Sequence, residues 1–438
     1  MARAKKETAL TPEERLQAAL VSDWEWSYKL PENWCWTYFK SISTIQTGKK
    51  DANYGSDEGK YPFFTCAAEP IRCHGYSFDC RAILLAGNGD INNISRYNGK
   101  FEAYQRTYVV KIAEPLCFDY IFYWFKYRWF DFNKGKMFGT AIPYIRLGNL
   151  QEFPTPVPPL AEQQRIVDRI ESLFAKLDEA KEKAQAVVDS FETRKAAILH
   201  KAFTGELTAK WREEHGVGME SWEKKRLSDV VTEFKYGTSE KSDYNNKGIP
   251  VLRIPNIGDN GIDLSDIKYL NHRNVDSESQ IHEGDILIIR SNGSRDLVGK
   301  AVLVPELGCE YAYASFLIRA KPNHSIINAH YLTIFLNSTD ARGQMFRRAK
   351  SSAGINNINT KELGAISLTV PSLPEQDEIV HIINEMMDKD QQSKEAAEAV
   401  LDQIDLMKKS ILARAFRGEL GTNDPSEESA VELLKQII

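Results

Sequence analysis

Cysteine is scarce in this chain: six residues among 438 (Cys35, Cys66, Cys73, Cys80, Cys117 and Cys309), too few for a disulfide framework. Long apolar runs are also missing. The most apolar stretch, Tyr120 to Phe132, is broken by Lys126 and Arg128, well short of the ~18 uninterrupted residues of a membrane span. The first residues, Met1 to Glu7, lead into no apolar signal core. A reduced, cytoplasmic protein without membrane contact is expected. An excess of one charge is absent as well, with 56 Lys+Arg against 61 Asp+Glu and a net charge of −5. Taken as an average, that balance speaks against a nucleic-acid binder, because such domains are usually basic.

Catalytic and metal signatures are equally sparse. Gly293 to Ala301 resembles a phosphate loop, but five residues separate Gly293 from Gly299, and Ala301 stands where a hydroxyl should bind Mg²⁺. Gly87-Asn88-Gly89 follows a strand-like run but opens no helix, so it is no dinucleotide loop. Glu58-Gly59-Lys60 is half of a nuclease-like pair and reads better as a solvated turn. Cys66, Cys73, His74 and Cys80 lack the close Cys pair of a zinc finger, so no metal is expected. An amino-methyltransferase Asn/Asp-Pro-Pro-Tyr/Phe segment occurs nowhere. The chain is expected to be non-catalytic and to bind no cofactor itself.

What is present is a repeat. Residues 160–207 align with 373–420 at a constant shift of 213, without a gap, and share 21 identities in 48 positions. About three would be expected from average composition. Glu162-Gln163 answers Glu375-Gln376, and Ala202-Phe203-x-Gly205-Glu206-Leu207 answers Ala415-Phe416-x-Gly418-Glu419-Leu420. The match reaches upstream to Ile142 with Ile355 and Leu150 with Leu363. The chain is one plan used twice.

Both repeated segments read as long helices bounded by proline before and glycine after. Ile166, Ile170, Leu173, Leu177, Ala180, Ala184, Val187, Phe191, Arg194 and Ile198 follow the 4,3 spacing of a heptad seam, with Arg194 its one polar member. The shift of 213 gives Ile379, Ile383, Met386, Asp390, Ser393, Ala397, Val400, Ile404, Met407 and Ile411. Here Asp390 and Ser393 interrupt the seam. Two seams of equal length are expected to pair as an antiparallel coiled coil with pseudo-two-fold symmetry, some 40 residues spanning roughly 60 Å. The plainer alternative has each helix packing only on its own domain.

The expected organisation is an N-terminal extension at 1–27 with a short helix after Thr11-Pro12, a first variable domain at 28–155, and a repeat helix with connector at 156–210. A second variable domain follows at 211–370, then the second repeat helix at 371–420 and an acidic tail at 421–438 carrying Asp424, Glu427, Glu428 and Glu432. Both variable domains mix short β-rich runs with helical stretches near 119–129 and 329–350, giving an α+β class. Their loops carry local charge: four basic residues and no acid lie between Ala341 and Lys350. Basic residues beside Gly/Asn turns in both halves point to nucleic acid, each cluster alone being an ordinary solvated turn.

At this point the sequence resembles the specificity (S) subunit of a Type I restriction-modification system, along essentially its whole length. The resemblance rests on Pro158-Pro159-Leu160-Ala161-Glu162-Gln163 and Pro371-Ser372-Leu373-Pro374-Glu375-Gln376, on the two Ala-Phe-x-Gly-Glu-Leu ends, and on Gly139–Ile145, Ala353–Ile358 and Glu283–Leu287. It implies two target-recognition domains, each reading half of a split double-stranded DNA site, with the helix pair as spacer. It also implies two modification subunits that carry S-adenosylmethionine and methylate adenine N6, and two restriction subunits that can join. The residues expected to touch DNA are Arg96, Tyr104, Gln105, Arg106, Lys134 and Lys136 in the first domain. In the second they are Arg253, Asn256, Arg290, Asn292, Ser294, Arg295, Arg347 and Arg348. The alternatives from other classes are a self-contained DNA-modifying enzyme with cryptic motifs and a coiled-coil adaptor that does not bind DNA.

Overall fold

A computed structural model describes residues 10–21, 28–245, 248–259, 261–271, 280–352 and 354–438. Residues 1–9 and 22–27 of the N-terminal extension lie outside the described residues, as does Ala353 at the start of one domain-ending motif. The chain divides into two compact units, residues 1–184 with 399–438 and residues 185–398. Each unit therefore holds one variable domain, the first half of one repeat helix and the second half of the other.

In unit 1 six strands form a mostly antiparallel sheet, in the order Ser43–Thr47, Thr107–Ile112, Phe78–Ala86, Ile94–Ala103, Tyr61–Phe64, Ile71–Cys73. The helix Phe118–Asn133 packs on this sheet and supplies much of an aromatic core, with Tyr120, Trp124, Phe125 and Trp129 fully buried. The stretch that looked closest to a membrane run is thus a core helix. A strand pair, Cys35–Tyr38 with Pro154–Val157, brings the domain's two ends together just before the repeat helix begins. Unit 2 repeats this device with Glu223–Arg226 and Ser367–Val370. Its main sheet runs Val231–Tyr236, Leu317–Pro322, Ile286–Ile289, Ala301–Leu303, and its core is chiefly aliphatic. The helical stretch near 329–350 is two helices, Ala329–Asn337 and Thr339–Arg348, with Ser338 as N-cap of the second.

The repeat helices are not equal. The second runs unbroken from Leu373 to Ala415, whereas the first breaks at Ser190 between Leu160–Asp189 and Phe191–Thr204. The Ser190 hydroxyl donates to the carbonyls of Ala186 (2.7 Å) and Val187 (3.2 Å), competing with the backbone ladder. Gln403 stands at the equivalent place in the unbroken helix.

The seam of the first helix is at least half-buried throughout: Ile166 and Ile170 are fully enclosed, and Leu173, Leu177, Val187, Phe191 and Ile198 are intermediate. The second seam needs correction. Ile379, Ile383 and Ile404 are buried and Ile411 half-buried, but Met386, Val400 and Met407 are 38%, 42% and 48% exposed. The residues one position later, Met387, Leu401 and Lys408, take the half-buried places instead, as does Lys394 beside the exposed Ser393. Long lysine stems fill these sites: Lys394 Nζ lies 4.7 Å from the Phe191 ring centre, and Lys408 Nζ 5.1 Å from that of Phe174. A pattern search that admits only apolar residues reads past them. Two of the three polar seam members in unit 2 meet each other, Arg194 Nε donating to Asp390 Oδ1 at 2.6 Å.

The segment 421–438 is more than an acidic tail. Its helix Ala430–Ile437 buries Ala430 and Leu434 in the unit 1 core, and Ala430 N–H donates to the Asn33 carbonyl at 2.9 Å. Arg15 from the short helix Pro12–Ala19 donates to the Ile438 carbonyl oxygen at 2.8 Å.

Candidate nucleic-acid interface

Two features recur in both units: a joint at the helix starts, and a cluster of loops at one end of each main sheet. The joint explains the repeated Glu-Gln. Gln163 donates to the Pro158 carbonyl (2.9 Å) and accepts from Cys117 N–H (2.8 Å), at the N-cap of the aromatic helix. Gln376 donates to the Pro371 carbonyl (2.8 Å) and accepts from Asn328 N–H (2.7 Å), at the N-cap of Ala329–Asn337. Each amide thereby satisfies an orphan donor of a helix terminus. The glutamates tie down the segment beyond the other helix's end. Glu162 accepts from the Thr422 hydroxyl (2.7 Å) and from Arg165 (2.9 Å), and Arg165 also bonds Glu427 (2.7 Å). Glu375 accepts from Thr208 (2.7 Å), Arg212 (2.6 Å) and Trp222 (3.1 Å). Burial pushes the Glu162 carboxyl up, with the bonds from Thr422 and Arg165 opposing it. Tyr120 and Tyr331, their hydroxyls also raised by burial, stay protonated and donate to the carbonyls of Pro156 (3.0 Å) and Thr369 (2.9 Å), which are equivalent in the repeat.

The loop clusters share a backbone frame. In unit 1, Gly87 N–H donates to the Arg106 carbonyl (2.9 Å), and the Gly87 carbonyl accepts from Ile145 N–H (2.9 Å). In unit 2, Arg290 makes the same two bonds, to the Phe316 carbonyl (3.0 Å) and from Ile358 N–H (2.9 Å). Close approach fixes the neighbouring loop in both. A Cβ at Gly48 would lie 1.8 Å from the Ala103 carbonyl oxygen, and one at Gly237 2.1 Å from that of Tyr313, so only glycine fits. On this common frame the side chains differ: Gly87 stands against Arg290, Arg106 against Phe316, and Tyr144 against Asn357.

The frame brings together some of the expected contact residues and not others. Tyr104, Gln105 and Arg106 sit in the first cluster, where Gln105 donates to Asp51 at 2.8 Å. Lys134 and Lys136 close the aromatic helix, Lys134 beside Asp131 (3.3 Å) and Lys136 3.6 Å from the Phe132 ring centre. Arg96 lies away from the loops on a strand, paired with Asp119, its guanidinium 4.8 Å from the Phe122 ring centre. In the second cluster Arg290 and Asn292 border the strand pair of Lys350–Ser352 and Ile355–Asn357. Asn292 accepts from Ser294 N–H (2.8 Å), shaping the turn that holds Ser294 and Arg295, and Arg295 lies over Phe346 (5.2 Å). Arg347 is exposed in the last turn of Thr339–Arg348, where Arg348 bonds back to the Gln344 carbonyl (3.2 Å). Arg253 is committed to Asp266 at 3.0 Å. Asn256 is a correction: it is 1% exposed, and its amide donates to the carbonyls of Asp263 (2.8 Å) and Asp266 (2.9 Å), a local backbone brace with nothing to offer a base.

The lookalike motifs also resolve. Lys300 of the phosphate-loop-like segment pairs with Asp259 (2.8 Å), and Cys73 is buried with its thiol on the Gly75 carbonyl (3.0 Å). Among the described residues no group of three or more His, Cys, Asp or Glu is placed to hold a metal, and no helix is long and apolar enough to cross a membrane.

The family description "Type I restriction modification DNA specificity domain" matches residues 31–188 and 219–401. The chain belongs to the Type I restriction-modification DNA specificity family. This specificity subunit is similar to the Type I restriction enzyme EcoDI specificity subunit of Escherichia coli, 28% identical over 93% of this chain and 95% of that one. It is also similar to the EcoKI specificity subunit of Escherichia coli K12, at 30% identity over 68% of this chain and 66% of that one. In fold it resembles the HsdS subunit from Thermoanaerobacter tengcongensis, with a TM-score of 0.61 at 19% identity, covering 90% of this chain and all of that one. It is the recognition component of a Type I system and not its enzyme. The alternatives of a self-contained enzyme and an adaptor that does not bind DNA are not favoured.

Reading charge alone missed several residues that the specificity subunit presents at its loop clusters. Arg146 lies 3.9 Å from the Phe138 ring centre, and Phe138 and Ile142 are exposed. Tyr236, Phe316 and Ile355 are exposed in unit 2. One signal was available: Ile142 and Ile355 already matched in the repeat, and an aliphatic residue kept at an exposed loop position has no core role to explain it.

Proposed function

We propose that this specificity subunit reads a bipartite DNA target, one half-site per recognition domain, through the loop cluster of each domain. One observation carries the reading: the two clusters keep the same backbone frame while their outward side chains differ, as two unlike half-sites read by one design require. The repeat helices are the spacer, paired as an antiparallel coiled coil with pseudo-two-fold symmetry. Contacts between the helices within each unit support that arrangement. In unit 1 Asp178 meets Lys408 (2.5 Å) and Lys181 meets Asp405 (3.8 Å); in unit 2 Phe191 meets Lys394 and Arg194 meets Asp390. In both, rising numbers on one helix meet falling numbers on the other.

In the assembled system two modification subunits dock on this chain, bind S-adenosylmethionine and methylate adenine N6, and two restriction subunits can join. The near-neutral charge of the whole chain fits a division in which those partners hold much of the phosphate backbone. The spacer role is tested by inserting four helical residues beside Ala184, which adds ~6 Å, roughly two base pairs. Sequencing of methylated adenines in cells carrying the complete system should then show a longer spacer between unchanged half-sites. An unchanged spacer rules the ruler out.

A further inference from the structure

Some cations near the loop clusters already answer a carboxylate: Arg253 pairs with Asp266, and Lys350 with Glu362. Arg146 and Arg290 differ. Among the described residues neither has a carboxylate partner, and each guanidinium lies over an aromatic ring. Arg146 is 3.9 Å from the centre of Phe138, with Nη2 donating to the Tyr144 hydroxyl at 3.4 Å. Arg290 is 4.5 Å from the centre of Tyr236, with Nη1 donating to the Ser315 carbonyl at 3.4 Å.

The rings are themselves held. Phe138 pairs through its backbone with Tyr144 (2.9 and 2.8 Å), and the Tyr236 hydroxyl accepts from Thr360 N–H at 3.2 Å. Arg290 is further pinned by the two frame bonds of its own backbone, and its Nε is buried against its surroundings without a hydrogen-bond partner. The result in each domain is a guanidinium whose plane is set before any ligand arrives. Plane matters little to a phosphate, which takes charge from many directions. It matters greatly to a base edge, where two coplanar acceptors must be met at once.

Building on the bipartite reading above, we infer that Arg146 and Arg290 are specificity-determining residues that each read a guanine through its O6 and N7 in the major groove, with Phe138 and Tyr236 as positioning residues. The two arginines leave the shared frame from different loops, Arg290 on the rung of Gly87 and Arg146 just after the rung of Ile145. The two guanines therefore occupy different places in their half-sites.

The test uses the complete methyltransferase, this chain with its modification subunits, and the motif found by sequencing methylated adenines. Arg290→Ala should relax one guanine position in one half-site, by roughly 5- to 150-fold in discrimination, and Arg146→Ala one guanine in the other half-site. Target duplexes carrying 7-deazaguanine, which lacks the N7 acceptor, probe the same contact without altering the protein. Replacing the guanine in question should weaken binding by the unmodified complex and leave the matching alanine variant indifferent. Tyr236→Phe should keep that sensitivity and Tyr236→Leu should lose it. Three results overturn the inference while leaving the proposed function intact: a half-site without guanine, a uniform loss on all sequences with a shallower salt dependence (a phosphate contact), and 7-deazaguanine without effect. A methylation pattern that is not bipartite would instead sink the proposed function itself.

Discussion

The two units close their recognition domains with the same joint and fill it with different chemistry. In unit 1 the end of a repeat helix delivers Phe416, fully buried, with ring centres 5.3, 5.0 and 5.7 Å from those of Tyr120, Trp124 and Tyr127. In unit 2 the equivalent Phe203 is half-buried and its ring meets those of Tyr331 and Phe335, at 5.4 and 5.3 Å. The charged part of the joint has the opposite balance. Glu375 and Arg212 of unit 2 are almost wholly enclosed, with side chains 0% and 9% exposed, whereas Arg165 of unit 1 is 38% exposed beside Glu162. The repeated residues set where things meet. How strongly they hold is decided by neighbours the repeat does not share.

That contrast can be broken by substitution. Arg212→Met removes the cation from a buried carboxylate and should destabilise unit 2 by about 3–5 kcal/mol, because Glu375 keeps only neutral donors. Arg165→Met should cost less, about 1–3 kcal/mol, because Glu162 is as enclosed as Glu375 but the cation it loses is itself screened by solvent. Urea unfolding of the full chain compares the two, and equal losses would show that burial does not separate the joints. On the aromatic side the order reverses. Phe416→Ala should cost about 3–5 kcal/mol and Phe203→Ala about 1–3 kcal/mol, read from the same unfolding curves.

The joint was only half legible in the sequence. A constant shift of 213 exposed Glu162-Gln163 and its copy, but Tyr120 and Tyr331 are 211 apart, beyond the gapless stretch, so their equivalence waited for their carbonyl partners. The first helix seam was readable because its members are apolar. The second was misread at Met386, Val400 and Met407, since Lys394 and Lys408 occupy inward places by laying their stems on Phe191 and Phe174. The loop clusters were the least legible. Residues such as Gly87, Arg106, Arg290 and Phe316 meet through backbone bonds between distant segments, and nothing in local composition marks a side chain as facing outward or, like Asn256, folded back on its own turn.

The smallest predicted effect concerns the helix pair. Unit 2 places Arg194 against Asp390, while the equivalent repeat positions in unit 1 are Met407 and Leu177. The ion pair is imperfect: it makes one bond, and Arg194 Nη2 and Asp390 Oδ2 are buried without partners. A pair in that condition gives back little of its desolvation cost. Arg194→Met alone should destabilise by about 2 kcal/mol, because Asp390 is left 13% exposed and unpaired, and Asp390→Leu alone by about 1 kcal/mol, because Arg194 can reach solvent. The double variant, which imports the two apolar residues found at the equivalent positions of unit 1, should fall within about 1 kcal/mol of the unmodified chain. The double-mutant cycle from urea unfolding then reports a coupling of about 2 kcal/mol. Strictly additive losses would mean that the two side chains do not meet in solution, and that the polar break weakens the seam of unit 2 instead of closing it.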